Sequence, residues 1–292
     1  MKTGFAGTGI MGSAMAVNVL KSGFDLMVYN RTREKTSELE KMGAVIVNDA
    51  SRLGEACNTI ILMLTGPKAC DDVLFGNDGI LKSNNISVDC IINMSTVTPE
   101  YAVETARKLE EKNIGYIDCP VSGSKGPATE GTLILLAGGA ANLISRHERL
   151  LLSMGKRIIN CGETGRGSVM KLGVNLLLGN MMASLSEAVN FSEKFGIKNS
   201  LFMETILSGP LGCALFALKS SMFESGEFPP QFPLKHIHKD MGFALEMSQN
   251  KVSLPCAEST FNLYTRGLNF DMGDEDFASV IKIIQNRDLN GK

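Results

Sequence analysis

The chain has 292 residues, more than one average domain, so we expect two domains. Its 44% hydrophobic and 21% charged residues are typical of a soluble globular protein. A formal net charge of −2 at pH 7 argues against nucleic acid as the main partner, because that binding depends on a basic surface.

The first half of the chain alternates short apolar segments with segments of helical spacing. Predicted strands cover residues 2–7, 25–29, 44–47, 59–64, 90–93, 116–119 and 132–137. Predicted helices cover residues 10–22, 33–42 and 98–112, and the last has Thr98 as its N-cap and Pro99 in its first turn. The alternation predicts an α/β fold with a Rossmann-type, doubly wound parallel sheet.

The pattern changes after residue 164. Residues 169–195 form one helical stretch that is apolar nearly all round, so we expect it to be buried along much of its length. Further helical segments are broken at residues 208–210, 229–230 and 254–255, and none of them has a strand pattern. We predict a Rossmann-type domain over residues 1–164 and an all-helical domain over residues 165–292, joined through the long helix.

The cysteines and the apolar runs bear on the compartment. The seven cysteines are widely spaced and include no C-x-x-C pair, which indicates neither a disulfide framework nor a zinc site. Reduced thiols fit a cytosolic protein. The chain opens without a charged-then-apolar signal region, and no apolar run reaches the length of a bilayer span. We therefore expect a cytoplasmic protein with no membrane partner.

A glycine-rich turn lies between the first predicted strand and the first predicted helix. Gly7, Gly9 and Gly12 form G-x-G-x-x-G, the dinucleotide-binding pattern of a βαβ unit. The glycines allow a tight turn, a close approach of backbone to pyrophosphate, and close packing of helix on strand, and the helix N-terminus offers N–H groups to the phosphates. The alternative is a plain glycine-rich turn. We assign cofactor binding to the whole turn, Gly7-Thr8-Gly9-Ile10-Met11-Gly12.

The end of the second predicted strand indicates which dinucleotide binds. An NAD site normally has Asp or Glu there to hold the ribose 2′-hydroxyl. This chain has Asn30, then Arg31, which can pair with a 2′-phosphate, and Thr32, which can add a hydroxyl. The pattern favours NADP(H), unless Arg31 and Arg33 are only surface charges that open a helix. At the end of the strand predicted over residues 59–64, we assign three more cofactor contacts, Met63, Leu64 and Thr65.

Two further segments are candidates for substrate chemistry. The run Pro120-Val121-Ser122-Gly123 is either a strand-ending turn or a place where a hydroxyl and backbone N–H groups meet a substrate carboxylate. Lys171 lies near the start of an otherwise apolar helix, so it either extends to solvent or is functional. Asn175 follows one turn later on the same face. Desolvation can lower the pKa of a lysine into the range of a general acid.

A polar segment near residue 236 contains two histidines. His236 and His238 are two residues apart, so on a helix they do not face each other, and no carboxylate or cysteine completes a ligand set. A metal site is therefore disfavoured. Lys235 and Lys239 share a face, as do His236 and Asp240, and the simple interpretation is a polar helix face.

In combination, the motifs resemble the β-hydroxyacid dehydrogenase family over nearly the whole chain. The matching positions, in the family's order, are the glycine turn with Met15, Ala16 and Asn18, then Asn30-Arg31-Thr32, Pro120-Val121-Ser122-Gly123, Gly131-Thr132-Leu133, Lys171-x-x-x-Asn175 and Lys239-Asp240. Within the family, the glyoxylate/succinic semialdehyde reductase branch looks most similar, on Ser122-Gly123-Ser124-Lys125, Phe232-Pro233-Leu234-Lys235-His236 and Asp274-x-Asp276-Phe277-x-Ser279.

The resemblance implies a role for each site residue. Lys171 would be the essential proton donor, and Asn175 would position it or the substrate. The implied substrate-binding positions are Ser122, Gly123, Thr96, Phe232 and Asp240. Thr96 would also lie near the nicotinamide, and Lys239 would contact the cofactor. NADPH is usual in this branch, in agreement with Arg31 and Thr32, and the family forms homodimers and homotetramers through its helical domains.

Two positions depart from the family pattern. Thr8 stands where the family often has Leu or Phe, and Val174 stands where other branches often have Asn after the catalytic lysine. The second change favours the semialdehyde reductase branch, and hydrogen bonds typical of the other branches are not carried over. Some relatives lack the lysine and act as chromatin-associated binding proteins, but Lys171 is present here.

The expected reaction is the NADPH-dependent reduction of a small aldehyde acid, glyoxylate to glycolate or succinic semialdehyde to 4-hydroxybutyrate. Lys171 protonates the carbonyl oxygen as hydride reaches the carbon. The enzyme alternatives are a 3-hydroxyisobutyrate dehydrogenase or a tartronate semialdehyde reductase. The alternative of another class is an NADP(H)-sensing binding protein without turnover.

Overall fold

The computed structural model describes residues 2–83 and 85–285. The chain divides into two compact units, residues 1–172 and 173–292. The predicted domain boundary at residue 164 stays a prediction, and residues 286–292 of the predicted helical domain lie outside the described residues.

The first unit is an α/β unit built on one sheet. Its strands are β1 (Thr3–Ala6), β2 (Leu26–Tyr29), β3 (Val45–Val47), β4 (Thr59–Leu62), β5 (Cys90–Asn93), β6 (Gly115–Asp118), β7 (Val121–Ser122), β8 (Leu133–Gly138) and β9 (Gly155–Gly162). Its helices are α1 (Ile10–Lys21), α2 (Ser37–Lys41), α3 (Ser51–Ala56), α4 (Pro67–Phe75), α5 (Pro99–Glu110), α6 (Lys125–Glu130), α7 (Ala141–Arg146) and α8 (Glu148–Leu152).

The sheet order is β3-β2-β1-β4-β5-β6-β8-β7, with β9 beside β8. All pairs from β3 to β6 are parallel, which confirms the predicted Rossmann-type sheet. The far edge differs from the prediction, because β8 runs antiparallel to β6 and β7. The chain reverses there through the short helix α6 instead of making a long parallel crossover.

Two apolar cores cover the two faces of this sheet. In β4, Ile61 belongs to one core, while Ile60 and Leu62 belong to the other. Alternate side chains of a strand point to opposite faces, so the wholly apolar run of β4 is explained by burial on both sides.

The second unit is helical, as predicted. Its helices are α9 (Arg166–Lys194, which begins in the first unit), α10 (Asn199–Ser208), α11 (Ala214–Ser225), α12 (Leu234–Ser248), α13 (Pro255–Asn269) and α14 (Val280–Gln285). Within its described residues, the β pairing found is a single bridge between Pro233 and Asp276. The apolar core includes Tyr264 and Phe277, and a fully buried ion pair joins Lys219 Nζ to Asp276 Oδ2 at 2.8 Å.

The 29-residue helix α9 is long and apolar enough, by length and composition alone, to cross a membrane. The expectation that no apolar run reaches that length is therefore wrong. A buried core helix passes the same test, and 44% of the most apolar window of α9 is buried. This property alone is weak evidence for a membrane span.

Candidate active site

The glycine turn between β1 and α1 contains two closed positions and one open position. A Cβ built on Gly7 would lie 2.3 Å from the Met63 carbonyl oxygen, and one on Gly12 would lie 2.0 Å from the Gly7 carbonyl oxygen. Nothing lies within 4 Å of a Cβ built on Gly9. The turn is thus packed tightly on its protein side and open at Gly9, next to the first N–H groups of α1. This geometry fits a dinucleotide pyrophosphate.

The turn lies at the switch point of the sheet. β1 is flanked by β2 on one side and β4 on the other, and nucleotides bind Rossmann folds where the strand order reverses in this way. Gly7 N donates to Tyr29 O at 3.0 Å, and Met63 N donates to Ala6 O at 2.9 Å. The predicted cofactor segments 7–12, 30–32 and 63–65 therefore leave the sheet at one common edge.

Asn30 connects two of these segments. Its Oδ1 accepts a hydrogen bond from Thr8 N at 2.9 Å, and its Nδ2 donates to Thr32 O at 2.7 Å. Both ends of the amide are thus engaged by the backbone. Arg31 and Thr32 are exposed beside it. The Arg33 guanidinium instead donates to Asn48 Oδ1.

A buried polar network at the ends of β4 and β5 was missed by sequence reasoning. Leu64 N donates to Ser95 Oγ at 2.9 Å, Ser95 N donates to Asn93 Oδ1 at 3.0 Å, and Asn93 Nδ2 donates to Tyr116 Oη at 3.0 Å. Asn93 and Ser95 are inaccessible to solvent. The network fixes the backbone at Leu64 and immediately before Thr96. The available signal was the polar pair at the end of an otherwise apolar strand.

Ser122 ends β7, and Gly123 begins the turn that follows it. Ser122 pairs with Ile134 of β8, and Gly123 has φ of +136°, in the region that favours glycine. A Cβ on Gly123 would lie 2.7 Å from Leu133 Cδ2. Ser122 is half-buried and Gly123 is exposed, so a hydroxyl and the local backbone remain accessible to a small ligand. Asn18 Nδ2 of α1 donates to Ala128 O at 2.8 Å, which ties the helix after this turn to the helix of the glycine turn.

In the second unit, Asn175 and Asp240 are in direct contact. Asn175 Nδ2 donates to Asp240 Oδ2 at 2.6 Å, and Lys239 Nζ lies 2.8 Å from Asp240 Oδ1. Asn175 is 1% exposed, yet its Oδ1 accepts no hydrogen bond from any residue that the structure describes. A buried amide oxygen normally has a donor, so this atom is available to one from a ligand or a neighbouring cation. Lys171 lies one turn earlier on α9 and is half-buried.

Phe232 lies just before α12 and is held through its backbone. Phe232 N and Gln231 N each donate to Asp276 Oδ2 at 3.0 Å, and Phe277 N donates to Phe232 O at 3.0 Å. The rings of Phe232 and Phe277 pack edge to face, with centroids 5.7 Å apart. Sequence reasoning marked both segments but did not connect them.

The contacts of His238 on α12 are those of a packed side chain. His238 stacks on Phe261 with centroids 4.3 Å apart, and its Nε2 lies 3.0 Å from Thr265 Oγ1. Burial lowers the pKa of His236 and of His238. Over residues 2–83 and 85–285, no group of three or more His, Cys, Asp or Glu side chains could hold a metal ion.

Two family models together match most of the chain. The NAD binding domain of 6-phosphogluconate dehydrogenase matches residues 2–162. The NAD-binding domain of NADP-dependent 3-hydroxyisobutyrate dehydrogenase matches residues 165–284. The open position at Gly9 and the first of these matches both support the binding of a nicotinamide dinucleotide to the first unit.

Similar proteins share almost the full length of the chain. Glyoxylate/succinic semialdehyde reductase 1 of Arabidopsis thaliana is 35% identical, over 98% of this chain and 99% of its own. The chloroplastic reductase 2 of the same plant is 34% identical, over 97% of this chain and 79% of its own. A solved structure of a 3-hydroxyisobutyrate dehydrogenase from Salmonella typhimurium superposes with a TM-score of 0.89 at 24% identity, over 97% of this chain and 99% of that one, and shows the same fold.

Proposed function

The chain belongs to the β-hydroxyacid dehydrogenase family of NAD(P)-dependent oxidoreductases, and from this premise we propose that it uses NADPH to reduce a small aldehyde acid, glyoxylate or succinic semialdehyde. The observation that carries the proposal is the 35% identity to a glyoxylate/succinic semialdehyde reductase over nearly the full length of both chains. Lys171 is the proposed proton donor, on the family resemblance.

The proposal of NADP(H) rests on the end of β2. The Asn30 amide is hydrogen-bonded to Thr8 N and Thr32 O. Asn30 stands where an NAD site normally has the carboxylate that holds the ribose 2′-hydroxyl. Exposed Arg31 and Thr32 follow directly, and a guanidinium binds phosphate through charge-assisted, bidentate hydrogen bonds. The same residues are a poor match for the unphosphorylated ribose of NAD(H).

The reaction needs a proton at the carbonyl oxygen and a hydride at the carbonyl carbon. When bound, NADPH supplies the hydride. The Lys171 ammonium hydrogen-bonds the aldehyde oxygen, stabilises the negative charge that develops there, and then transfers a proton to give the alcohol. The Ser122 hydroxyl and the backbone around Gly123 hold the substrate carboxylate and so orient the aldehyde.

Asn175, Thr96, Phe232 and Asp240 complete the proposed set of substrate contacts. The buried Oδ1 of Asn175 is an acceptor suited to the Lys171 ammonium or to the substrate. Asp240 holds the amide in place through Nδ2, so that its carbonyl oxygen is directed away from this bond. Lys239, Met63, Leu64 and Thr65 are proposed cofactor contacts.

The decisive experiment measures turnover with a panel of aldehyde acids. Loss of reduced-nicotinamide absorbance is followed with glyoxylate, succinic semialdehyde and tartronate semialdehyde, and oxidation of 3-hydroxyisobutyrate is followed in reverse, each with NADP(H) and NAD(H). The proposal expects the highest kcat/KM for glyoxylate or succinic semialdehyde with NADPH. A higher value for 3-hydroxyisobutyrate or tartronate semialdehyde would move the protein to another branch of the family. NADPH binding without turnover of any substrate would instead support a sensing role.

Lys171→Ala tests the chemical step itself. We expect kcat to fall by at least about 100-fold, the usual contribution of a positioned general acid, while the Kd of NADPH stays unchanged. Near-normal turnover of the variant would refute the role of Lys171.

A homo-oligomer is the proposed assembly. Exposed apolar side chains occur on the second unit, with Leu177 at 62%, Phe191 at 64% and Phe195 at 74% exposure. Large exposed apolar side chains mark interaction surfaces when they occur together. Light scattering in solution would give the mass of a dimer or tetramer, and a monomer would contradict the proposal.

A further inference from the structure

The first turn of helix α9 is hydrogen-bonded to a side chain from a remote strand. The first turn of any helix leaves N–H groups that need acceptors. Gly165, the residue before α9, has no side chain that could accept from them. The acceptor comes from the end of β6. Asp118 Oδ2 accepts from Ser168 N at 2.8 Å, and Asp118 Oδ1 accepts from Ser168 Oγ at 2.7 Å. A residue 50 positions earlier in the chain therefore caps this helix.

The capping carboxylate is deeply buried. Asp118 and Ser168 are both inaccessible to solvent. Burial raises the pKa of the Asp118 carboxyl, and hydrogen bonds from Ser168 and from the backbone of Gly165 and Gly167 oppose that shift. Burying a charge away from water is unfavourable unless several donors surround it, and here the donors are the N-terminus of α9.

Backbone packing closes the same junction. A Cβ on Gly167 would lie 2.3 Å from Leu136 O and 2.6 Å from Asp118 O. A Cβ on Gly138 would lie 2.9 Å from Gly167 N. The start of α9 thus rests directly on the ends of β6 and β8, and it has no room to move toward the sheet.

Asp118 stands between two segments of the proposed site. Ser122 lies four residues after it, at the end of β7, and Leu136 N donates to Pro120 O at 2.9 Å to hold the intervening chain on β8. Lys171 lies three residues after Ser168, a rise of about 4.5 Å along the helix. The carboxylate is therefore close in the chain to the Ser122-Gly123 turn, and its partner Ser168 is close along α9 to Lys171.

We propose that Asp118 is a positioning residue for proton transfer: by capping α9 it fixes Lys171 relative to the Ser122-Gly123 turn. This inference rests on the proposed function, in which Lys171 donates the proton and that turn holds the substrate carboxylate. Asp118 itself takes no part in the chemistry.

Asp118→Asn is the first test. The amide oxygen can still accept from Ser168 N, and the –NH₂ group can donate to Ser168 Oγ. The variant nevertheless loses the negative charge at the N-terminus of α9 and has one acceptor oxygen in place of two for the donors of Ser168, Gly165 and Gly167, so the start of the helix is held less firmly. We expect kcat to fall about 10-fold to 100-fold, because a displacement of about 1 Å at a reacting group can have effects of that size. The Kd of NADPH should not change. Ser168→Ala keeps the backbone bond to Asp118 and removes the hydroxyl bond, so it should give a smaller loss of kcat, and it serves if Asp118→Asn does not fold.

A double-mutant cycle separates positioning from general destabilisation. If Asp118 acts through Lys171, then Asp118→Asn or Ser168→Ala lowers kcat in the parent enzyme but has little further effect on the residual rate of Lys171→Ala. Additive losses would overturn the proposal, as would an unchanged kcat in both single variants.

Thr59→Val is the matched control. Thr59 starts β4, and its Oγ1 lies 3.0 Å from His147 Nε2, also in a buried contact of the first unit but at the opposite end of the sheet. It should lower the Tm with no change in kcat. A fall in kcat equal to that of Ser168→Ala would mean that any destabilisation slows the enzyme. If Lys171→Ala itself keeps near-normal turnover, the proposed function fails, and this is distinguishable from a cycle in which only the Asp118 effect is missing.

Discussion

Substitutions in the glycine turn should separate stability from cofactor binding. Gly9 has φ −73° and ψ −166°, which alanine adopts without strain, and no atom lies within 4 Å of the added Cβ. Gly9→Ala should therefore leave the apo protein as stable or raise its unfolding free energy by about 0.4–1 kcal/mol, through the unfolded chain. On that scale the Tm rises by about 1–4 °C.

The same methyl group should weaken the binding of NADPH. It occupies the space through which the pyrophosphate approaches the backbone, and the loss of one hydrogen bond to a charged group is about 1.5–3 kcal/mol. The Kd of NADPH should rise about 10-fold to 100-fold. A fluorescence titration with NADPH measures this, and a thermal melt without nucleotide measures the stability.

Gly12→Ala is the counterpart with the opposite stability result. Its Cβ would lie 2.0 Å from the Gly7 carbonyl oxygen, against an ordinary contact of about 3.5 Å, so the backbone must move. Overpacking of this kind typically destabilises by about 1–3 kcal/mol, or more, and should lower the Tm by several degrees. If Gly9→Ala lowered the Tm as Gly12→Ala does and left the Kd unchanged, the assignment of the open position at Gly9 to the pyrophosphate would be refuted.

Three further predictions concern cofactor choice, the Asn175 contact and pH. Arg31→Ala should raise the KM of NADPH about 10-fold or more, with little change in the KM of NADH. Arg33→Ala, which removes a guanidinium bonded to Asn48, is the control and should change neither KM. Equal effects of Arg31→Ala on both nucleotides would contradict the 2′-phosphate role. Asn175→Asp replaces the Nδ2 donor by a second carboxylate 2.6 Å from Asp240 Oδ2. Repulsion between the two carboxylates should displace the side chain at position 175 and lower kcat, and an unchanged kcat would argue against the contact. Burial lowers the pKa of His147 below its ordinary value of 6.5, so the unfolded state takes up the proton first as the pH falls. The unfolding free energy should therefore fall as the pH drops below about 6.5. Denaturant melts of His147→Gln should show a weaker dependence on pH than those of the parent.

The elements with strong local signals could be predicted from the sequence. The apolar run at residues 90–93 is β5, and Thr98 caps α5 by accepting a hydrogen bond from Tyr101 N at 3.2 Å. The segment 33–42, predicted as one helix, is a short 3₁₀ turn followed by α2. The prediction omitted β9, which has exposed positions at Lys156 and Arg157 and lacks the apolar alternation of a half-buried strand.

The candidate site was predicted unevenly, because sequence motifs mark positions and not contacts. The glycine pattern identified the turn, since Gly7 and Gly12 have no room for a Cβ. The partner of Ser168 could not be found in the same way. Asp118 lies 50 residues away, and only the packing of α9 on β6 and β8 brings the two together.

Three acidic or amide side chains share one role that the sequence does not reveal. Asn30, Asp118 and Asp276 each accept hydrogen bonds from backbone N–H groups of a different site segment, at Thr8, Ser168 and Phe232 respectively. Each acceptor is remote in sequence from the segment that it holds, so the segments are fixed by tertiary hydrogen bonds as well as by their own turns. A buried acceptor that loses its N–H donor, or a donor that loses its acceptor, is unfavourable by about 1–3 kcal/mol, which is enough to select one backbone conformation. Substitutions at these three positions should therefore lower turnover by displacing the ligand-binding segments, and not by removing a group that reacts.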